Sequence, residues 1–313
     1  MRVLVTGGTG FIGAATVDAL RALDHGHELR CLTRHADRPS PWGDAVPLVR
    51  GDVRDAASLR RAVADVDVVV HCVQFPNHPV ENRRRGYTYQ AIDAEGTTRL
   101  VAACQAARVR RIVYLSGAGT RPGRAEPWFR AKEMAEAAIR GSGLEYVIFR
   151  PSWIYGRRDR SLNRFVQLVR YLPLVPVIGN GQTRVQPALV DDVARVVALG
   201  VDEPRASGQA FELGGPERLS MDEILHTVQR LLGRHQPLVH LPVGLVKLPA
   251  WLLAQLPNPP LSPAAIDFIL MDETVDPGPA EALFGVRFRT LAEGLRTYLP
   301  VKDAAGAQAR RPA

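Results

Sequence analysis

The chain has 313 residues, 46% of them apolar, and a formal net charge of +8. That much apolar material excludes a disordered chain and suffices for one large α/β domain or a domain with a smaller lobe. The positive charge suits phosphorylated ligands, anionic membrane surfaces or nucleic acid, but no recognition helix or RNA-binding motif accompanies it, so nucleic acid is set aside. Cys31, Cys72 and Cys104 lie far apart in apolar runs without metal-ligand spacing, which predicts core thiols, a reducing compartment and no metal. No signal peptide precedes the first strand and no apolar run reaches the ~20 residues of a membrane span, so the expectation is a cytoplasmic protein, with peripheral membrane contact as the alternative.

In chain order, the run Arg2 to Thr6 reads as a strand that breaks into Gly7-Gly8-Thr9-Gly10-Phe11-Ile12-Gly13 and continues as a helix through Leu20. Glycines at three-residue intervals between strand and helix predict a phosphate cradle. Gly7 permits the turn, Gly10 lets the backbone approach a pyrophosphate, and Gly13 lets the helix pack on the strand. Thr9, Phe11 and Ile12 complete this part of the expected cofactor-binding set. Glu28 to Thr33 is the second strand and ends at Arg34. A cation there accommodates the 2′-phosphate of NADP, where an acid would accept the ribose hydroxyl of NAD. Arg34, with Arg38 close behind, favours NADP(H) over NAD(H), against the plainer alternative of a surface arginine.

Val46 to Arg50 leads into Gly51-Asp52-Val53-Arg54-Asp55, with Asp55 as N-cap of a helix over Ala56 to Ala64. Asp67 to Val73 is a fully apolar strand, as in a parallel sheet covered on both faces, and His71 near its end reads as structural or cofactor-adjacent. Gln74 to Tyr89 reads as a loop near the site mouth, with His78, Arg83, Arg84, Tyr87 and Tyr89 as loop residues. A helix follows from Ile92 to about Arg108, then a fifth strand from Arg111 to Ser116. A helix from Trp128 to Gly141 carries Lys132, and a sixth strand from Glu145 to Arg150 runs into Pro151-Ser152-Trp153-Ile154-Tyr155-Gly156. Five crossovers and a sixth strand predict an α/β protein with a doubly wound parallel sheet of the Rossmann type.

These motifs resemble the extended and atypical short-chain dehydrogenase/reductase superfamily, of the NAD-dependent epimerase/dehydratase kind, over about residues 1–300. The most specific stretches are 6–13, 51–53 and 144–156. The resemblance implies that Asp52 and Val53 lie by the adenine and that Pro151, Ser152 and Ile154 pass over the nicotinamide. Ile92 to Thr97 is similar to the superfamily's Asn-x-x-Gly-Thr segment, with Asp93 where Asn is usual. Asp191-Asp192-Val193-Ala194 is similar to the segment that returns to the nucleotide domain. It also implies a dinucleotide domain over 1–156, with 187–205 packing back on it, and a smaller α/β lobe from 157–186 and 206–300. Residues 301–313 are expected to be a disordered tail. The apolar run 242–256 is either core or an interface for a protein partner or a membrane surface.

In active members of that superfamily a Tyr stands four residues before a Lys on one helix, so both side chains share a face. The Lys lowers the phenol pKa and holds the nicotinamide ribose, and the phenol moves the proton that accompanies hydride transfer. Here Lys132 is present and Trp128 occupies the Tyr position; indole does not titrate at usable pH. Ser116 is the candidate substrate-orienting hydroxyl, although the aligned position is nearer Ala118, and Thr120 is a further candidate. Two readings follow. One is a protein that holds NADP(H) in a structural, sensing or weakly redox role, similar to the accessory subunit of respiratory complex I. The other is a reductase, dehydrogenase or epimerase/dehydratase acting on a small molecule, with its proton donor elsewhere, such as Tyr155, Tyr87 or a lysine-bound water. The oligomeric state is left open.

Overall fold

The computed structural model describes residues 1–75, 78–253, 263–272 and 274–300. The expected tail, 301–313, and residues 254–256 of the apolar run lie outside the described residues. The chain divides into two compact units. The first comprises Met1–Ser152, Val190–Gly214 and Val275–Arg287; the second comprises Trp153–Leu189, Gly215–Thr274 and the chain from Phe288 onward.

The first unit opens with β1 (Arg2–Thr6), α1 (Phe11–Leu23), β2 (Glu28–Thr33), β3 (Leu48–Arg50), α2 (Ala56–Ala62) and β4 (Val68–His71). A π-helical turn over Tyr89–Ala94 then runs directly into α3 (Glu95–Ala106), followed by β5 (Arg111–Leu115), α4 (Pro127–Arg140) and β6 (Glu145–Pro151). The second unit contributes β7 (Ile154–Tyr155), α5 (Leu162–Tyr171), β8 (Val175–Ile178), β9 (Arg184–Val185) and β10 (Ala188–Leu189). The chain returns to the first unit with α6 (Val190–Leu199) and β11 (Gln209–Leu213). Next come β12 (Leu219–Ser220), α7 (Met221–Leu232), β13 (Leu238–Leu241), α8 (Val243–Leu253) and α9 (Pro263–Ile269) in the second unit, α10 (Gly278–Phe284) in the first, and α11 (Leu291–Arg296) in the second.

Seven strands form one parallel sheet in the order β3-β2-β1-β4-β5-β6-β11. Val3, Leu4 and Val5 of β1 and Val68, Val69 and Val70 of β4 are wholly buried, because helices cover both faces and leave no polar side for alternation. The strand order reverses at β1, whose neighbours are β2 and β4. In such sheets the ligand crevice opens beyond the carboxyl ends of the strands at that reversal. The register sets Thr6 beside His71 there, so polar side chains begin where the apolar strands end.

β11 changes the expected partition of the chain. The sequence pattern assigned 206–300 to the smaller lobe, yet Gln209–Leu213 pairs with β6 from Val147 to Pro151 and α10 belongs to the same unit. The physical reason is the edge that β6 would otherwise leave open. Its centre, Val147, Ile148 and Phe149, is fully buried, and Phe149, Phe211 and Phe284 pack with ring centroids 5.3–6.0 Å apart. A strand this apolar requires a partner on its far side.

Local chemistry sets the helix ends. Asp55 caps α2 by accepting from the Ala57 amide, and Thr88 caps the π-helical turn by accepting from Ala91, so this helix begins three residues before Ile92. In the second unit, Ser220 and Glu223 form a capping box at α7, whose Ile224, Leu225 and Val228 pack with Leu162, Val166 and Val169 of α5 in one core. Among the described residues no helix is long and apolar enough to cross a membrane.

Candidate functional site

The glycine turn after β1 has little room for side chains. Gly7 adopts φ +73°, and a Cβ on it would lie 2.8 Å from the Cys72 carbonyl oxygen at the end of β4. A Cβ on Gly13 would run into the Gly7 carbonyl, so α1 packs against the turn only because residue 13 is glycine. The Gly10 amide donates to Gly7 O at 2.9 Å and closes the turn. Gly10 is also the N-cap of α1 and supplies no side-chain acceptor. The first amides of α1 therefore keep their positive end directed outward, where an anion is favoured. Thr9 and Gly10 are exposed, and Phe11 and Ile12 half-buried.

Beyond β2 and β3 the side chains are cationic and aromatic. Arg34 donates to the Tyr87 hydroxyl at 2.7 Å, and its guanidinium lies 5.2 Å from the centre of that ring; Arg54 lies 5.1 Å from the same ring. Arg54 also grips Asp52, with Nη2 2.7 Å from Oδ2 and Nε 3.1 Å from Oδ1, and donates to the Arg85 carbonyl at 2.8 Å. Burial would raise the Asp52 pKa, but the Arg54 hydrogen bonds outweigh it and hold the carboxyl below its usual range. Val53 is buried beside it. Tyr87, expected as a loop residue and as one alternative proton donor, is thus the platform that joins Arg34 to Arg54.

The third region lies around Lys132 on α4. Its ammonium is 3.0 Å from Asp93 Oδ1, with side-chain exposures of 4% and 0%, and 5.3 Å from the centre of the Tyr114 ring. Burial works against the charge, but Tyr114 and Asp93 outweigh it and hold the lysine above its ordinary pKa. Tyr114 is itself pushed up to about 12 by burial, so its phenol is protonated at neutral pH.

His71 stacks on Tyr114 at 5.5 Å and links two hydroxyls: Thr6 Oγ1 is 2.6 Å from Nδ1 and Thr97 Oγ1 is 3.0 Å from Nε2. Thr97 donates its one proton to the Asp93 carbonyl at 2.6 Å, so it accepts from His71. The proton is therefore on Nε2, and Nδ1 accepts from Thr6. Burial, with Lys132 nearby, depresses the His71 pKa to about 3, in keeping with this neutral tautomer.

Ser116 does not present its hydroxyl to Lys132. It donates to Glu136 Oε1 at 2.7 Å, and Glu136 is held from the other side by Arg150 at 2.9 and 2.6 Å. Thr120 donates to the Gly117 carbonyl at 2.8 Å, and the Ala118 amide donates to Pro151 O at 2.8 Å. Trp128, one turn before Lys132, is buried with its indole over Gly117; a Cβ there would sit 2.5 Å from Cζ2. Phe129 at 4.8 Å and His78 at 6.2 Å extend this aromatic wall.

Ser152 donates its amide to Leu213 O at 2.8 Å in the first unit, whereas Ile154 lies in β7 of the second, beside Ala188 of β10. Tyr155 is fully buried in the second unit, its hydroxyl 3.4–3.5 Å from the Thr290 and Leu291 carbonyl oxygens. Three features were overlooked in the sequence: Tyr114, the Glu136–Arg150 pair, and the Thr6–His71–Thr97 chain. A signal existed for the first, since Tyr114 and Ser116 alternate onto one face at the end of β5. Glu136 and Arg150 offered none, because only the crossing of α4 over β6 joins them.

Sheet order, switch point and glycine cradle together define an NAD(P)-binding protein of the short-chain dehydrogenase/reductase type. The chain matches the NAD dependent epimerase/dehydratase family over residues 3–214 and belongs to that family. It is 28% identical over 272 residues to NADH dehydrogenase [ubiquinone] 1 alpha subcomplex subunit 9, mitochondrial, of Arabidopsis thaliana, covering 83% of this chain and 66% of that one. The mouse protein of the same name is 28% identical over 249 residues, so the chain spans slightly under two thirds of these mitochondrial relatives. A 3-beta-hydroxysteroid dehydrogenase of Mycolicibacterium neoaurum is 27% identical and is matched over 100% of this chain and 95% of its own. Among solved structures, the UDP-glucose 4-epimerase of Thermotoga maritima superposes with a TM-score of 0.74 at 18% identity, over 95% of this chain and 96% of that one. The Thermus thermophilus UDP-glucose 4-epimerase complex with NAD gives 0.73 at 24% identity, over 95% and 97%. Both likenesses are likenesses of fold.

Proposed function

We propose that this chain binds NADP(H) in preference to NAD(H) and keeps it in a structural, sensing or weakly redox role. The observation that carries the reading is the state of Lys132, which is buried against Asp93 at 3.0 Å with Trp128, not a phenol, one helical turn before it. In this reading Trp128 stands at the position of the superfamily's catalytic tyrosine. Gly7, Gly10 and Gly13 hold the pyrophosphate, with Thr9, Phe11 and Ile12 around it. Asp52 and Val53 meet the adenine, Arg34 the 2′-phosphate, and Pro151, Ser152 and Ile154 the nicotinamide. The bound dinucleotide would supply hydride chemistry, and the chain would orient it with an indole, not a phenol, one turn before Lys132. Ser116 is committed to Glu136, which supports a small catalytic contribution from that hydroxyl.

The name of the Arabidopsis relative places it in a multisubunit assembly. By analogy we assign this chain a protein or membrane-surface partner, met from the cytoplasm by the second unit. Leu245, Leu248, Trp251 and Leu252 of α8 support this, being 59–71% exposed, more apolar surface than one short helix ordinarily leaves in water.

The full-length match to a steroid dehydrogenase favours a second reading, an NADP-dependent oxidoreductase or epimerase/dehydratase with a non-standard donor. Calorimetry with NADPH and NADH tests the first: tight NADPH binding, weaker NADH binding and no turnover on a carbonyl panel are expected. Equal affinity for both would remove the role of Arg34, and rapid turnover would establish the second reading instead.

A further inference from the structure

Away from the cradle, at the opposite end of the sheet, His25 and His27 flank Gly26 in the turn between α1 and β2. Gly26 has φ +67°, a left-handed conformation that glycine adopts without strain, and it turns both imidazoles toward one point. His25 Nδ1 lies 2.7 Å and His27 Nε2 2.9 Å from the same oxygen of Asp202, Oδ2. The two rings meet edge to face with centroids 5.9 Å apart. All three ligand atoms lie within 4.8 Å of one another.

Asp202 is fixed from behind. The buried Arg111 guanidinium donates to the carbonyl oxygens of Gly200, Val201 and Glu203 at 2.9–3.3 Å and is itself held by Glu145 at 3.0 Å. The His27 side chain is 4% exposed, and its other nitrogen, Nδ1, is buried without a hydrogen-bond partner, so the ring's polar engagement is toward Asp202. His25 and Asp202 open onto a cleft of about 460 Å³ that Glu203 and Phe284 also line.

We propose that His25, His27 and Asp202 bind one divalent transition-metal ion of the zinc class. Two neutral imidazoles and one carboxylate are the donor set that borderline cations prefer over calcium or magnesium. In the metal-free protein the two facing ring nitrogens donate N–H to Asp202. On binding, each ring carries its proton on the opposite nitrogen and offers a lone pair to the ion. Three protein ligands leave one position of a tetrahedral site for water or an anion on the cleft side. The ion ties the α1–β2 turn to the end of α6 and acts independently of the dinucleotide. The cysteine spacing that argued against a metal is not involved, because the cluster uses histidine and aspartate brought together by the fold.

The test is titration of chelator-treated full-length protein with Zn²⁺ by calorimetry, repeated with Co²⁺ to read ligand-field absorption, in wild type, His25→Ala and Asp202→Asn. Wild type should bind one equivalent, gain thermal stability, and give tetrahedral Co²⁺ bands. Each variant should lose at least about tenfold in affinity and lose the bands. His25 is half exposed, so its variant keeps the fold, which unchanged circular dichroism and NADPH affinity verify. No saturable binding to wild type, or equal affinity in wild type and His25→Ala, overturns the proposal.

Discussion

The glycine cradle and the Lys132 cluster lie at the same end of one sheet but have opposite construction. The cradle is backbone: glycines are there because side chains do not fit, the helix N-terminus is uncapped, and Thr9 and Gly10 are exposed. The Lys132 cluster is side chain and closed: Asp93 takes the ammonium, Glu136 takes Ser116, and Trp128 covers Gly117. An anion is therefore met by amides that no side chain caps, whereas a proton-transfer step would find Lys132 paired with Asp93 and Ser116 bonded to Glu136. In the proposed reading, dinucleotide binding and proton transfer rest on different atoms, so the first can persist without the second.

The largest expected effect breaks the closed side. Lys132→Met leaves Asp93 as an unpaired buried carboxylate and should cost about 3–5 kcal/mol in urea unfolding, and a second change, Asp93→Leu, should restore most of it. Additive losses in the double variant would show that the pair is not coupled. On the open side, Gly13→Val forces a side chain into the Gly7 carbonyl and should weaken NADPH binding about a hundredfold, the ~3 kcal/mol end of overpacking costs, as read by fluorescence titration.

Acid should act on the closed side. The folded pKa of His71 is depressed to about 3, as is that of His78. Below the unfolded value of about 6.5, the unfolded chain binds protons that the native state refuses. Stability from each is fully present above about pH 6.5 and falls by about 1.4 kcal/mol per pH unit as pH drops toward 3. Urea melts from pH 7.5 to 5 should show the loss, and His71→Gln should lessen its slope; an unchanged slope in that variant would separate His71 from the effect. The smallest effect concerns selectivity: Arg34→Ala should reduce the preference for NADPH over NADH by about tenfold, ~1.4 kcal/mol, with NADH affinity little changed.

Much of the first unit was legible in the sequence because its signals are local. Val3-Leu4-Val5 followed by spaced glycines and Asp55 before Ala56 each define their own element. The place of β11 in the main sheet was not legible, since the open edge of β6 appears only after folding. The closed side was legible in part. Trp128, Lys132 and Asp93 stood out by position, but that Asp93 reaches Lys132 depends on how the π-helical turn at Tyr89–Ala94 meets α4, and no spacing along the chain encodes that contact. His25 and Asp202 are likewise distant in sequence and adjacent only through the packing of α6.

The most direct test of a retained cofactor without a proton donor is a comparison of NADPH oxidation by wild type and Trp128→Tyr on the same panel of carbonyl substrates. In the proposed reading a phenol one turn from Lys132 supplies the donor that Trp128 does not, and general acid catalysis typically contributes ~10²–10⁴-fold. The account predicts a wild-type complex whose NADPH stays reduced through the assay and a variant that oxidises it at least about a hundredfold faster. Rapid oxidation by wild type, left unchanged or slowed by Trp128→Tyr, would contradict it.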